Sequence, residues 1–273
     1  MHQEREAMSS KIILIGNEKG GVGKTTTVLN VGEALARAGA KVLLVDLDPS
    51  GNLTHTLTKL QPDLRAAAKV TADHIVDIDP ETRKPAAEAI LDAVRPGVDL
   101  IAAPANAAHL IGAEKNITND PIEGPHVLRE SLEPIRDRYD YILVDCSPTR
   151  NALEMCALVA ADQLIVLNEA HDFSIAAMQG VTSYAQSIKK RHNSNLWVRG
   201  TILNKVQSGT VLARAWTTQF TEAGIPVLGS VRSAEPIKRA VNDGVSLADT
   251  KDGWRHLWVY DDLATTITQR KKS

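Results

Sequence analysis

The chain has 273 residues, 43% of them hydrophobic and 23% charged, with 17 Gly, 12 Pro and 2 Cys; this is enough to bury a core and excludes a disulfide scaffold, a fibrous chain or a peptide-sized fold. Its net charge of −2 averages two unlike parts: residues 1–180 carry 17 Lys and Arg against 26 Asp and Glu, a balance of −9, and residues 181–273 carry 14 against 7, a balance of +7. No run reaches the roughly 18 uncharged apolar residues of a membrane span, and Met1 to Ser10 lacks the apolar stretch of a secretory signal, so a soluble, reduced, cytoplasmic protein is expected.

In chain order, Lys11 to Ile15 reads as a short apolar strand, followed by a Gly-rich loop and a helical pattern from Lys24 to about Ala38. Lys41 to Val45 is a continuous β-branched and Leu run, the composition of a strand buried on both faces of a parallel sheet. Between Leu57 and Pro96 four prolines interrupt weak patterns, and only short helices are expected. A weak strand follows at 98–102, then a helix from Pro125 to Arg138 and a strand from Tyr141 to Val144. Helices are expected at Asn151 to Ala160, Ser174 to Arg191 and Thr210 to Ala223, alternating with strands at Gln163 to Leu167, Leu196 to Leu203 and Ile225 to Leu228. Two helices, Glu235 to Asn242 and Gly253 to about Gln269, close the chain. Such alternation predicts an α/β fold: a mostly parallel twisted sheet with helices on both faces, ligands binding beyond the carboxyl ends of its strands. With no linker or repeat in view, residues 11–273 are expected to form one domain behind a disordered tail, residues 1–10.

The segment Glu18-Lys-Gly-Gly-Val-Gly-Lys-Thr-Thr26 lies where the first strand gives way to the first long helix. Glycines there let backbone N–H groups face phosphate oxygens with no Cβ in the way, and the helix start adds its dipole. Lys24 supplies a charge to the β and γ phosphates and Thr25 a hydroxyl to Mg²⁺. The spacing departs from the ordinary phosphate loop, which wants Gly where Glu18 stands and has no counterpart of Lys19. Asp46 and Asp145 each end a buried apolar strand at the same edge, where a carboxylate is costly unless it meets a cation or is well hydrogen-bonded. Cap or turn roles are the alternative for these aspartates, most of all for Asp48 in Asp-Pro-Ser-Gly.

Lys19-Gly-Gly-Val-Gly-Lys-Thr25 resembles the deviant phosphate loop of the ParA/MinD class of ATPases, whose relatives include nitrogenase iron protein and arsenite-pump ATPases. The resemblance continues at Val42-Leu-Leu-Val-Asp-Leu-Asp-Pro-Ser-Gly-Asn52, through Leu132 to Pro148, and at Ile225 to Ser230. It implies a P-loop NTPase fold with ATP and Mg²⁺ as cofactors. The nucleotide would be held by Lys19, Gly20, Gly21, Val22, Gly23, Lys24, Thr25 and Thr26, with Asn204 reading the adenine. The metal would be held by Thr25, Asp46 and Asp145, the two aspartates acting through its waters. Lys19, reaching across a dimer interface, Lys24 and Asp48, which orients the attacking water, would be catalytic. The class usually has two prolines after the metal aspartate and cysteine, whereas this chain has Ser147 in place of the first.

The basic last third bears on what the ATPase switches. Lys189, Lys190, Arg191, Arg199, Lys205, Arg214, Arg232, Lys238 and Arg239 are opposed only by Glu222 and Glu235 between residues 181 and 239. Lys and Arg without base-reading side chains suit phosphate contacts, and Lys189, Lys190, Arg191, Arg214, Arg232, Lys238 and Arg239 are the candidate DNA-binding residues. Ten residues before the first strand are too few for a helix-turn-helix module, so sequence-specific operator binding is not expected. Trp254, Leu257, Trp258, Leu263 and Ile267 have helical spacing, but Asp261 and Asp262 interrupt an amphipathic membrane face, so a terminal helix packed on the core is expected and no membrane partner. His55, His171 and Asp172 read as surface residues, and Cys146 and Cys156 offer no metal or cluster site. The resemblance thus implies a partition ATPase of weak intrinsic activity: an ATP-dependent homodimer that binds double-stranded DNA nonspecifically, associates with the nucleoid and is released by hydrolysis that a centromere-binding ParB-like partner stimulates. A MinD-like membrane-cycling or cargo-positioning ATPase of the same fold is the alternative.

Overall fold

The structure, a computed structural model, describes residues 10–17, 19–147, 150–169, 175–206 and 211–269, with side chains undescribed at 175–177 and 211–215. Of the features singled out in the sequence, residues 1–9 of the expected tail, Glu18, Pro148, His171, Asp172, the basic end Arg270 to Lys272 and the side chain of Arg214 lie outside the described residues. Ser10, the last residue of that tail, is buried, and its carbonyl accepts hydrogen bonds from the Arg136 guanidinium.

Eight strands form one sheet: β1 (Lys11–Gly16), β2 (Val42–Leu47), β3 (Ile90–Arg95), β4 (Val98–Ile101), β5 (Tyr141–Cys146), β6 (Gln163–Glu169), β7 (Trp197–Val206) and β8 (Val227–Arg232). Their order is β3-β4-β2-β5-β1-β6-β7-β8, parallel throughout except for β3 against β4. The central strands β2 and β5 are buried along their whole length, as a sheet covered on both faces requires. The pleat divides their side chains by parity: Ile12 and Leu14 join the core on one face, Ile13 and Ile15 the core on the other.

The second of these faces is covered by α1 (Lys24–Arg37), α2 (Asn52–Thr58), α10 (Glu235–Asp243) and α11 (Leu257–Thr268). The first is covered by α5 (Ala107–Asn119), α6 (Val127–Leu132), α7 (Ala152–Ala160), α8 (Ile175–Arg191) and α9 (Val211–Glu222). Two short helices, α3 (Pro62–Ala67) and α4 (Ala72–Ile75), fill the connection after α2, as the prolines of that region predicted.

Two expectations need correction. Ile90–Arg95, expected among short helices, is an edge strand that turns back through Pro96 and Gly97, the latter at φ 74. The helix expected from Pro125 to Arg138 is broken into a 3₁₀ turn at Gly124–His126, α6, and a second 3₁₀ segment at Glu133–Arg138, because Pro125 and Pro134 each lack the N–H an uninterrupted helix needs. The terminal helix does pack on the core through Val259, Tyr260, Leu263 and Ile267, but Trp254 and Trp258 are 65% exposed and take no part in that packing. Helix α5, capped by the Asn106 side chain, had no counterpart in the sequence reading.

Candidate nucleotide site

The site forms at the carboxyl edge of β1, β2, β5, β6 and β7. After β1, Asn17 begins the phosphate loop: its Oδ1 accepts from the Lys19 N–H at 2.8 Å, and its amide donates to Asn168 Oδ1 at 3.0 Å and to the Leu167 carbonyl. Asn168 in turn donates to Thr201 Oγ1 at 2.7 Å, so a polar chain ties the loop entry to the ends of β6 and β7. Gly21 and Gly23 adopt φ 75 and φ 90, values that favour glycine. A Cβ on Gly23 would lie 2.5 Å from Asn204 Nδ2, so a larger residue there would displace the Asn204 amide. Gly23 caps α1, whose first turn carries no acidic side chain; the helix N-terminus is left with its positive end uncompensated, the arrangement that suits an anion.

Lys24 is only 8% exposed. Burial pushes its ammonium pKa below the usual lysine range, while the charges of Asp145 and Asp48 draw it back up. Its Nζ reaches the Asn17 and Lys19 carbonyls only at 3.4 and 3.5 Å. A desolvated cation with such long contacts is suited to a multiply charged phosphate. Val22 is buried, Thr25 and Thr26 are half-buried, and Lys19 and Gly20 are exposed at the loop tip.

Asp46 and Asp145 are register partners on adjacent strands β2 and β5, 0% and 1% exposed. Burial raises both carboxyls above the ordinary range, and for Asp145 the neighbouring Asp46 charge adds to it. The two are nevertheless different. Both oxygens of Asp46 are hydrogen-bonded: Thr54 donates to Oδ2 from its N–H at 2.8 Å and its hydroxyl at 2.7 Å, and the Asp48 N–H donates to Oδ1 at 3.2 Å. Asp145 accepts the Thr25 hydroxyl at 2.6 Å through Oδ2, while its buried Oδ1 has no hydrogen-bond partner. An orphaned buried carboxylate oxygen beside a hydroxyl at the foot of an anion cradle fits a hard divalent cation that shares its ligands with phosphate. Among the described residues no group of three His, Cys, Asp or Glu side chains converges to hold a metal. Asp48, on the turn leaving β2, accepts from the Ser50 N–H at 2.8 Å and is half-buried.

Asn204, at the end of β7, donates from Nδ2 to the Val22 carbonyl at 2.7 Å. Residues that sequence reasoning had not placed here are Asn17, Thr54, Asn168, Thr201, Glu169 and Lys205, the last read there only as one of the basic residues. Strand ends could have flagged three of them, since Asn17, Asn168 and Glu169 occur where an apolar run stops.

The described basic residues of the last third do not form one patch. Arg232 ends β8, and Lys238 and Arg239 are exposed on α10 just beyond it, on the phosphate-loop edge. Lys189, Lys190 and Arg191 close α8, which descends to the amino end of β7, so they lie at the opposite edge. Arg199 is buried, donating to the Thr266 and Gln269 carbonyls and stacking over Trp197, and Lys205 is paired with Glu169; neither presents a free basic face.

Residues 10–198 match the AAA_31 family, described as an AAA domain. The chromosome partitioning protein ParA of Caulobacter vibrioides is 32% identical over 195 residues, 71% of this chain and 68% of ParA. The chain belongs to the ParA family of P-loop ATPases. An uncharacterised protein of Mycobacterium tuberculosis is 32% identical over 220 residues, a match that spans 78% of this chain but only 64% of that longer relative. Among solved structures, the ParA-type fold is shared with cobyrinic acid a,c-diamide synthase of Mycobacterium smegmatis bound to an ATP analog and magnesium, at 25% identity and a TM-score of 0.76 over 97% of this chain and 96% of that one.

Proposed function

We propose that the chain is a DNA-partition ATPase that hydrolyses ATP to ADP and phosphate. The observation that carries the nucleotide reading is the Thr25 to Asp145 hydrogen bond with its orphaned carboxylate oxygen at the foot of the loop; bound nucleotide and magnesium in a structural relative support it. The N–H groups of residues 20–25 and the Lys24 ammonium bind the β and γ phosphates. Thr25 and Asp145 would hold Mg²⁺, which supplies charge neutralisation to the phosphate oxygens as they part. Asp46 fixes the turn that carries Asp48, through the Asp48 N–H and Thr54, and Asp48 orients the attacking water. Asn204 keeps its Oδ1 to accept from the adenine amino group.

Lys19 is exposed at the loop tip, where it serves the nucleotide of a second copy in an ATP-dependent homodimer. Such a dimer, nucleoid-associated in the cell, would bind double-stranded DNA nonspecifically and be released when a centromere-binding ParB-like partner stimulates a weak intrinsic hydrolysis. Of the candidate cations, Arg232, Lys238 and Arg239 are the ones on the nucleotide edge, so the state of the site can gate them; Lys189, Lys190 and Arg191 would extend the track down the side of the molecule.

One observation favours the competing reading of membrane cycling, namely the exposed pair Trp254 and Trp258, whose rings suit a lipid interface. Binding to random-sequence duplex DNA and to anionic liposomes, each with ATP, ADP and no nucleotide, decides between them. Partition requires ATP-dependent DNA binding that falls about 10³-fold between 50 and 200 mM salt, the slope of about six phosphate contacts per dimer. ATP-dependent liposome binding with no DNA binding in any nucleotide state overturns it.

A further inference from the structure

Two consecutive side chains at the end of β7 hold two consecutive peptides of the phosphate loop. Asn204 donates to the Val22 carbonyl at 2.7 Å, and Lys205 Nζ donates to the Gly21 carbonyl at 2.5 Å while pairing with the Glu169 carboxylate at the end of β6. Neighbouring residues of a regular strand point to opposite faces, so both could not reach the loop from an undistorted β7. The backbone shows how they do: Lys205 sits at φ 53, in the left-handed region where a residue with a Cβ is strained. That turn swings its side chain to the side Asn204 already faces, and the ion pair to Glu169 holds it there.

The consequence for the loop follows from peptide geometry. In a planar trans peptide the C=O of one residue and the N–H of the next point in opposite directions. Holding the Gly21 carbonyl toward Lys205 therefore turns the Val22 N–H the other way, and holding the Val22 carbonyl toward Asn204 does the same for the Gly23 N–H. With Gly21 and Gly23 both free to rotate at positive φ, these two peptides are the ones that most need such fixing.

We propose that Lys205, anchored by Glu169, is a positioning residue that pre-orients the Gly21–Val22 peptide so that its N–H faces the nucleotide phosphates. This rests on the nucleotide-binding reading above. It assigns the strained backbone at Lys205 a purpose and removes that lysine from the DNA face.

The test is fluorescent ATP and ADP binding, with steady-state turnover, in Lys205→Gly, Lys205→Met, Lys205→Arg and Glu169→Gln. Glycine accepts φ 53 without strain, so Lys205→Gly is expected to keep or raise the thermal midpoint and yet to bind ATP and ADP about tenfold more weakly. Lys205→Met weakens both nucleotides to the same degree, Lys205→Arg retains most of the affinity because a donor survives, and Glu169→Gln gives a smaller loss in the same direction. KM rises while kcat stays within about twofold, since a ground-state cradle is lost rather than a catalytic group. The proposal is overturned if Lys205→Gly binds nucleotide like the wild type while Lys24→Ala does not, or if affinity falls only in step with a lowered thermal midpoint and Lys205→Arg fails to restore it. A wild-type chain that binds no nucleotide overturns the nucleotide reading, and this inference with it.

Discussion

Thr25 Oγ1 donates to Asp145 Oδ2 at 2.6 Å, joining the first turn of α1 to the end of β5. The bond leaves Asp145 Oδ1 without a hydrogen-bond partner, and on the proposed function the two residues would act on a cation together. Thr25→Val and Asp145→Asn are each expected to abolish most of the gain in ATP affinity that Mg²⁺ confers, about tenfold or more, while leaving metal-free nucleotide binding through Lys24 and the loop N–H groups near its starting level. Titration of fluorescent ATP with Mg²⁺ and with EDTA measures this. Equal Mg²⁺ dependence in wild type and Asp145→Asn would remove Asp145 from the metal.

On the proposed function, Lys19 serves assembly and Asp48 the chemistry. Asp48→Ala should bind ATP and dimerise but lose turnover by about 10²-fold, the usual worth of a positioned base, whereas Lys19→Ala should bind nucleotide as a monomer and fail to dimerise or to hydrolyse. Light scattering with ATP and a phosphate-release assay distinguish them. Normal hydrolysis by Asp48→Ala would show that another group orients the water.

What the sequence showed of this molecule is what local pattern encodes. The buried runs at β1, β2 and β5 and the glycines of the loop were readable because parallel strands and phosphate cradles have compositions of their own. Strand β3 was not, because Leu91-Asp-Ala-Val-Arg95 alternates poorly at a sheet edge whose outer side is solvated. The two buried aspartates looked equivalent in sequence, each ending an apolar strand. Only their surroundings separate them, since Thr54, eight residues beyond Asp46, folds back to donate twice to it while one Asp145 oxygen has no hydrogen-bond partner. The run of cations in the last third read as one face because composition does not carry the edge of the sheet at which each helix segment lies; α8 and α10 place theirs at opposite edges.

Thr54 ties β2 to the segment after β4, donating to Asp46 and accepting the Ala103 N–H at 2.8 Å. Both groups are fully buried, so Thr54→Val leaves a carboxylate short of a donor and a backbone N–H without an acceptor. A loss of about 3 kcal/mol in unfolding free energy is expected, read from urea midpoints, with Thr54→Ser retaining most of it. A change under about 0.5 kcal/mol would mean that Asp46 does not depend on this contact.

Glu33 tests the face on which α1 meets the C-terminal elements. Its Oε2 accepts the Ser246 hydroxyl at 2.5 Å, and Oε1 lies 3.4 Å from Arg95 Nε. Burial raises its carboxyl pKa, the Ser246 hydrogen bond and Arg95 opposing that rise. A raised acid pKa means that the folded state holds the proton more tightly than the unfolded chain, so this group makes stability fall as pH climbs from the ordinary carboxylate range through the raised value. Glu33→Gln cannot titrate, and Arg95 keeps the Leu57, Val94 and Gly244 carbonyls as acceptors. The variant should therefore gain stability relative to wild type between pH 4 and pH 8, seen as a difference in urea midpoints that grows in its favour. A constant offset across that range would show that Arg95 stabilises the Glu33 carboxylate enough to cancel the effect of burial.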